Sequence, residues 1–273
     1  MNIRIYRPPP PLSEFIDWLW FHECLLCEHR RERVLPDGTF ELVINLDDFP
    51  RKLFDRRDPN RHRAFRRAWL SGTHSEYIVI DVLPRASMMG VHFRPGGAAP
   101  FLGMPASELK DSVVELDAIW GKSTIDLRDA LLEQPTPEGK FRLLEEFLMR
   151  LARGGFDRSE AVAYALSRFM AGPHELTMRE VADELGLSRK HFIARFRDEV
   201  GLTPKRFCRI QRFQRVLQRI EQQRAVEWAD VASACGYYDQ AHFIHDFHAF
   251  GGLNPSAYLT DRGEYLNFVP IRD

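Results

Sequence analysis

Cysteine is scarce in this chain, with four in 273 residues. A disulfide framework is therefore excluded as the main support of the fold. The stretch from Met1 to Pro11 has no apolar core of a secretory leader, and no apolar run is long enough to cross a bilayer. These two absences lead us to expect a reducing, cytoplasmic setting and no membrane partner. An excess of one charge is missing too, since 38 basic side chains stand against 39 acidic ones. Overall charge alone thus gives no reason to expect nucleic acid. No Walker loop, dinucleotide glycine motif or Ser/His/Asp cluster occurs. No His-x-His of a cupin-type metal enzyme lies near His62, His74 or His92. Catalysis is not expected, nor is any cofactor.

What the chain does have is one helical unit written twice. Val181-Ala182-Asp183-Glu184-Leu185-Gly186 recurs fifty residues on as Val231-Ala232-Ser233-Ala234-Cys235-Gly236. Phe192 and Phe196 recur as Phe243 and Phe247, and Gly201-Leu202-Thr203-Pro204 as Gly252-Leu253-Asn254-Pro255. Two copies are too few for a solenoid. Each copy reads as a helix-turn-helix: a short helix closed by a glycine that takes the left-handed turn, then Ser188 or Asp239 capping the next helix. The phenylalanine pairs, four apart, share one inward face. Lys190, Ile193, Ala194 and Arg197 are left outside or at the flank in the first copy. Gln240, Ala241, Ile244, His245 and His248 are left so in the second. Two ordinary packed helical hairpins are the plainer reading, but they need no capped helix with an open outer face.

Local charge supports the sharper reading. From Ser188 to Arg219 there are ten Lys or Arg and two acids, a net of +8. A solvated basic face is the usual meaning of such a run. Here it adjoins a helix proposed to enter a groove, where phosphate neutralisation supplies affinity. Arg189 and Arg195, with Arg206, Arg209 and Arg212 of the connector, are the candidate phosphate contacts. The connector opens on a Thr203 cap with Pro204 at the first helical position, followed by an apolar stripe of Phe207, Ile210, Phe213, Leu217 and Ile220. For Arg206, Arg209 and Arg212 no acidic residue lies at helical spacing. Phosphate contact and simple solvation are the two uses left open.

With these residues on the page, the stretch from about Phe156 to Leu259 resembles the DNA-binding domain of the AraC/XylS family of bacterial transcription regulators. The resemblance is carried by Gly186-Leu187-Ser188, the phenylalanine pairs, Gly201 to Phe207, Gln240-Ala241-His242-Phe243-Ile244 and Gly252 to Tyr258. It implies a seven-helix domain in which two helices read bases, at Lys190, Ile193 and Ala194 and at Gln240, Ala241, Ile244 and His245. Ile193 and Ala194 cannot hydrogen-bond to base edges, so the first helix would read thymine methyls or mainly position the protein. The implied partner is double-stranded DNA, with RNA polymerase and a second copy of the chain as further candidates.

The N-terminal part differs in composition. Phe40–Leu46, Tyr77–Leu83 and Met88–Phe93 read as strands, with a Pro36-Asp37-Gly38 turn before the first. Arg51 to Arg67 reads as a charged loop. From Pro105 the pattern turns helical, over 105–120, 124–133 and 137–153. The expected fold is α+β, with a β-rich domain and helical bridge over 1–155 and an all-α domain over 156–273. The boundary is set near Gly154-Gly155. Tyr6-Arg7-Pro8-Pro9-Pro10-Pro11-Leu12, Leu35 to Leu42 and Gly90 to Ala98 resemble one set of AraC-type regulators. In the wider family this domain is often a cupin-like barrel that binds a small-molecule effector, dimerises, or both.

Two further groups need weighing. His22-x-Cys24-x2-Cys27-x-His29 crowds four metal-ligand types into eight residues, whereas a zinc site usually takes two pairs across a longer loop. A strand-end pair of buried thiols is the preferred reading, and no metal is expected. Arg94 beside Gly96-Gly97 suits either an anion or a structural pairing, the second being favoured. Cys208 and Cys235 fall at core positions. The competing function is a small-molecule-binding or catalytic β-domain whose helical half serves as an interaction module.

Overall fold

The computed structural model describes residues 2–24, 27–152, 155–172, 178–221 and 226–272. Its first half is built from antiparallel strands: β1 (Asn2–Tyr6), β2 (Ile16–Cys24), β3 (Arg31–Val34), β4 (Glu41–Asn45), β5 (Arg51–Phe54), β6 (His62–Phe65), β7 (Ala68–Ser71), β8 (Ile78–Asp81), β9 (Ala86–Phe93) and β10 (Val113–Glu115). They join two sheets, one ordered β1-β2-β9-β4-β7-β10 and one in which β3-β8-β5-β6 are neighbours. Alternation along each strand decides what each face meets. Leu19, Phe21, Leu42, Met89 and Val91 turn to one side of the first sheet. There they pack against Leu127 and Leu131 of α3 (Ser123–Glu133) and Phe141, Leu144 and Leu148 of α4 (Pro137–Leu151). Two short helices, α1 (Ala99–Leu102) and α2 (Asp117–Trp120), lie at the same core. On the opposite side, Trp20 and Val43 both pair with Gly90. A β-carbon there would sit 2.3 Å from the Trp20 ring, so only glycine lets the indole lie flat across the sheet.

The second half is helical: α5 (Glu160–Ala171), α6 (Met178–Glu184), α7 (Arg189–Val200), α8 (Pro204–Glu221), α9 (Trp228–Ala234), α10 (Gln240–Gly251) and α11 (Pro255–Asp261). The chain then turns back. β11 (Phe268–Ile271) pairs antiparallel with β3, completing the second sheet as β11-β3-β8-β5-β6. Val269 is fully buried and shares the helical core with Leu35, which follows β3. The two halves are further joined at the Pro36-Asp37-Gly38 turn. Gln211 Nε2 donates to the Asp37 carbonyl at 2.7 Å and Gln214 Nε2 to the Pro36 carbonyl at 2.8 Å.

Several expectations are corrected. Residues 51–67 are not a loop but contain the β5–β6 hairpin, in which Arg51 pairs with Phe65 and both are buried while Lys52, His62, Arg63 and Ala64 are exposed. The helix expected over 105–120 is broken. Residues 106–109 form one tight turn, Asp111 takes a positive φ of 55°, and Val113–Glu115 pair with β7. β-branched Val113 and Val114 favour that pairing. Of the expected Gly154-Gly155 boundary, Gly154 lies outside the described residues, and β11 carries the C-terminal part back into the first half's sheet.

Candidate nucleic-acid interface

The sequence repeat reappears as a repeat of individual hydrogen bonds. In the first unit the Leu187 N–H donates to the Ala182 carbonyl, and in the second Tyr237 donates to Ala232, both at 3.0 Å. Gly186 and Gly236 make the turn at φ of 62° and 76°. Ser188 Oγ accepts from the His191 N–H at 3.3 Å, and Asp239 Oδ1 from the His242 N–H at 2.7 Å. α7 and α10 each end on a left-handed glycine, Gly201 and Gly252. The next helix in each unit opens on a capped turn, Thr203 before α8 and Asn254 before α11. Both units therefore fix their second helix by local chemistry at each end.

Packing then sets which face is open. Phe192, Phe196 and Val200 of α7 and Phe243, Phe247 and Phe250 of α10 are fully buried. Phe213 of α8 lies edge-on to Phe247 at 5.1 Å, tying the connector to the second unit. Lys190, Arg189 and Arg195 are exposed on α7, with Ile193 and Ala194 half-buried beside them. Gln240, Ala241, Ile244 and His245 are all exposed on α10. One exposed side chain was not singled out from sequence. Tyr238 is 93% exposed, two residues before Gln240 in the turn that leads into α10. Its signal is an aromatic directly before a capping Asp, where no core position needs one.

The connector arginines do not lie as expected. Arg209 donates through Nη2 to Asp246 Oδ1 at 2.5 Å and through Nε to Oδ2 at 3.3 Å. That hydrogen bond, with the buried carboxylate's charge, holds the guanidinium pKa above its usual value. Arg206 Nη2 donates to the Ser75 carbonyl at 2.6 Å and its guanidinium sits 5.0 Å over the Phe250 ring. Arg212 donates to the Gly236 carbonyl at 3.2 Å and lies over Tyr237. The choice between phosphate contact and solvation thus omitted a third use, internal bonding. Asp246 was invisible to helical spacing because it comes from a different helix.

Other candidates take structural positions. Arg94 pairs with Asp17 at 3.3 Å and donates to the Ser13 carbonyl. Gly97 is required because a β-carbon would lie 2.0 Å from the Phe15 carbonyl oxygen. Cys24 ends β2, with its Sγ 2.8 Å from Cys27 Sγ, while His29 turns to Glu32 at 3.2 Å. Among the described residues no group of three or more His, Cys, Asp or Glu is arranged to hold a metal ion. Cys208 and Cys235 are buried, and burial pushes the Cys208 thiol up to about 12. No helix among the described residues is long and apolar enough to cross a membrane.

Comparison with known families agrees with this geometry, since residues 181–261 match a family described as a helix-turn-helix domain. The C-terminal part of the chain is an AraC-type helix-turn-helix domain. Residues 4–115 match a domain of unknown function, DUF6597, and no curated protein matches the chain. Among solved structures, the C-terminal domain of AraT, a response regulator from Geobacillus stearothermophilus, is 21% identical. It covers 39% of this chain and 91% of its own, at a TM-score of 0.35. ToxT from Vibrio cholerae is 10% identical over 89% of this chain and 98% of its own, at 0.47. The DNA-binding domain of AdpA, solved with a target DNA, is 23% identical over 37% of this chain and 92% of its own, at 0.34. This helix-turn-helix domain is joined to a β-rich N-terminal half.

Proposed function

We propose that this chain is a sequence-specific transcription regulator in which α7 and α10 enter successive major-groove segments of one duplex. The observation that carries the reading is the pairing of two identically capped units, each with an open outer face, across one connector helix. On this reading Lys190, Ile193 and Ala194 read one segment, and Gln240, Ala241, Ile244 and His245 the other. Arg189 and Arg195 neutralise phosphates, and Tyr238 rests against the backbone beside α10. Arg206, Arg209 and Arg212 hold the interface in shape. The chain acts as two domains, 1–155 and 156–273, the second lending its last strand to the first. The N-terminal domain takes a small-molecule effector. A second copy of the chain and RNA polymerase are its further partners, and it works in the cytoplasm without catalysis or cofactor.

The test is selection of bound duplexes from a random pool with the full chain. The expected product is a site with two conserved elements about 10 base pairs apart, one helical turn. A pool that shows no enrichment, with binding equal on all sequences, would remove sequence-specific recognition.

A further inference from the structure

β2 ends at Cys24, whose backbone pairs with Ala86 of β9. Three residues on, Cys27 brings its sulfur to 2.8 Å from that of Cys24. No disulfide joins the four cysteines. Cys208 and Cys235 lie apart from this pair, buried in the helical core among apolar side chains. There a thiol serves as a small hydrophobe. Cys24 and Cys27 face one another instead.

A disulfide bond is about 2.05 Å long, so the two sulfurs stand within about 1 Å of bonding distance. Fixed structure on either side supports that approach. Cys24 is held in β2 and is 2% exposed. Beyond Cys27, the His29 ring meets Glu32 of β3 at 3.2 Å, and Glu32 is itself buried.

The pair is ill suited to be a staple. Its bond would close a loop of four residues, and so short a loop constrains the unfolded chain least. It is equally ill suited to trapping an oxidant fast. Burial above all, then the bond to Cys24 and the charges of Cys24 and Glu32, push the Cys27 thiol up to about 12, with Arg51 pulling the other way. The thiolate is the attacking form, and little of it is present at neutral pH. The contact instead favours slow exchange toward a product that the fold holds together.

Exposure sets the order of steps. Cys27 is half-buried and Cys24 buried, so a small disulfide meets Cys27 first. The Cys27 thiolate attacks one sulfur of that disulfide and breaks its S–S bond. One small thiolate leaves and takes up the proton that Cys27 gave. Cys24 then attacks Cys27 Sγ, expels the second small thiolate and passes its own proton to it. The two cysteines are oxidised to one disulfide, and the small disulfide is reduced to two thiols.

We propose that Cys24 and Cys27 form a reversible dithiol–disulfide site that equilibrates with a small thiol/disulfide pool of the glutathione class. The structure holds its reduced form. The site stands whether or not the helical half binds DNA.

The experiment equilibrates the full chain, without oxygen, at stepped ratios of reduced to oxidised glutathione. Each sample is quenched in acid, unfolded, alkylated and mapped by mass spectrometry. Cys24 and Cys27 should lose alkylation together at one midpoint and regain it in dithiothreitol, while Cys208 and Cys235 stay alkylated. In urea the unfolded chain should need roughly tenfold more glutathione disulfide to reach its midpoint, because the fold brings the sulfurs together. Cys24→Ser should stop after the first step and hold one glutathione on Cys27. A pair that stays alkylated at the most oxidising ratio overturns the site. So does a midpoint equal in the folded and unfolded chains, or oxidation that spreads equally to Cys208 and Cys235. A Cys24→Ser chain that takes up no glutathione overturns the order of attack.

Discussion

Arg209 of α8 and Asp246 of α10 form a two-pronged ion pair in which the carboxylate is 1% exposed. It fixes α10 to the connector helix α8. Asp246 carries the only negative charge on α10, on the buried side opposite Ile244 and His245.

The first prediction follows from that pair. Arg209→Ala leaves the buried carboxylate with His242, at 3.8 Å, as its remaining ion-pair partner among the described residues, and should cost ~3 kcal/mol in stability. Arg209→Met/Asp246→Leu removes both charges and should recover most of that loss. The salt dependence of DNA binding by Arg209→Ala should keep its slope, because the lost charge served Asp246 rather than a phosphate. Chemical denaturation and binding at several salt concentrations read both. A slope reduced by about 1 would return Arg209 to the phosphate contacts.

Gln240 is exposed on the first turn of α10, and a glutamine amide can bond adenine bidentately. Gln240→Ala should cost ~1–3 kcal/mol on the selected site and relax preference at one base position. Fluorescence anisotropy on matched and random duplexes measures it. Equal losses on both would assign Gln240 to the backbone instead.

Val269 of β11 is fully buried against the helical core. Val269→Ala should cost ~2 kcal/mol at ~0.8 kcal/mol per buried methylene plus a cavity term. Phe268, on the neighbouring exposed position at 38%, should tolerate Ser within ~0.5 kcal/mol. Equal effects at the two positions would show that the strand does not dock as described.

Two histidines give the stability profile opposite limbs. His74, held near 4 by burial, is neutral in the folded chain. The unfolded chain then binds more protons between about 4 and 6.5, so this contribution is complete above 6.5 and fades as the pH falls. For His92 burial acts downward, but the Glu41 carboxylate at 2.6 Å outweighs it and raises the imidazole to about 9. Its contribution is complete below 6.5 and fades as the pH rises toward 9. Stability should peak near neutrality, with each limb worth up to ~3 kcal/mol. His74→Asn should flatten the acid limb and His92→Asn the alkaline one, read by denaturation between pH 5 and 9. A variant that keeps its own limb would take the assignment away from that histidine.

The helical half was legible because its determinants are local. Caps, left-handed glycines and phenylalanines four apart all act within one turn of the residues they organise. The rest depends on partners far along the chain. Asp246 reaches Arg209 across 37 residues, and no periodicity announces it. β11 is four residues long, too short for its alternation to stand out, and its partner β3 lies more than 230 residues upstream. The β5–β6 hairpin was hidden because Lys52, His62, Arg63 and Ala64 are all exposed and only Phe65 is a buried apolar anchor, so no apolar alternation shows along either strand. Tyr238 needed the exposed turn to be seen before its position meant anything.

The pairing of β11 with β3 also orders events during synthesis. Residues 31–34 leave the ribosome early, and their edge partner at 268–271 follows only after the whole helical half. At ordinary elongation rates of about 5–20 residues per second, that interval is roughly 10–50 s. Throughout it, the nascent sheet shows a bare edge at β3 and an uncovered Leu35. The newborn chain is thus open to mispairing for far longer than its β-rich half alone would require, until β11 covers that edge.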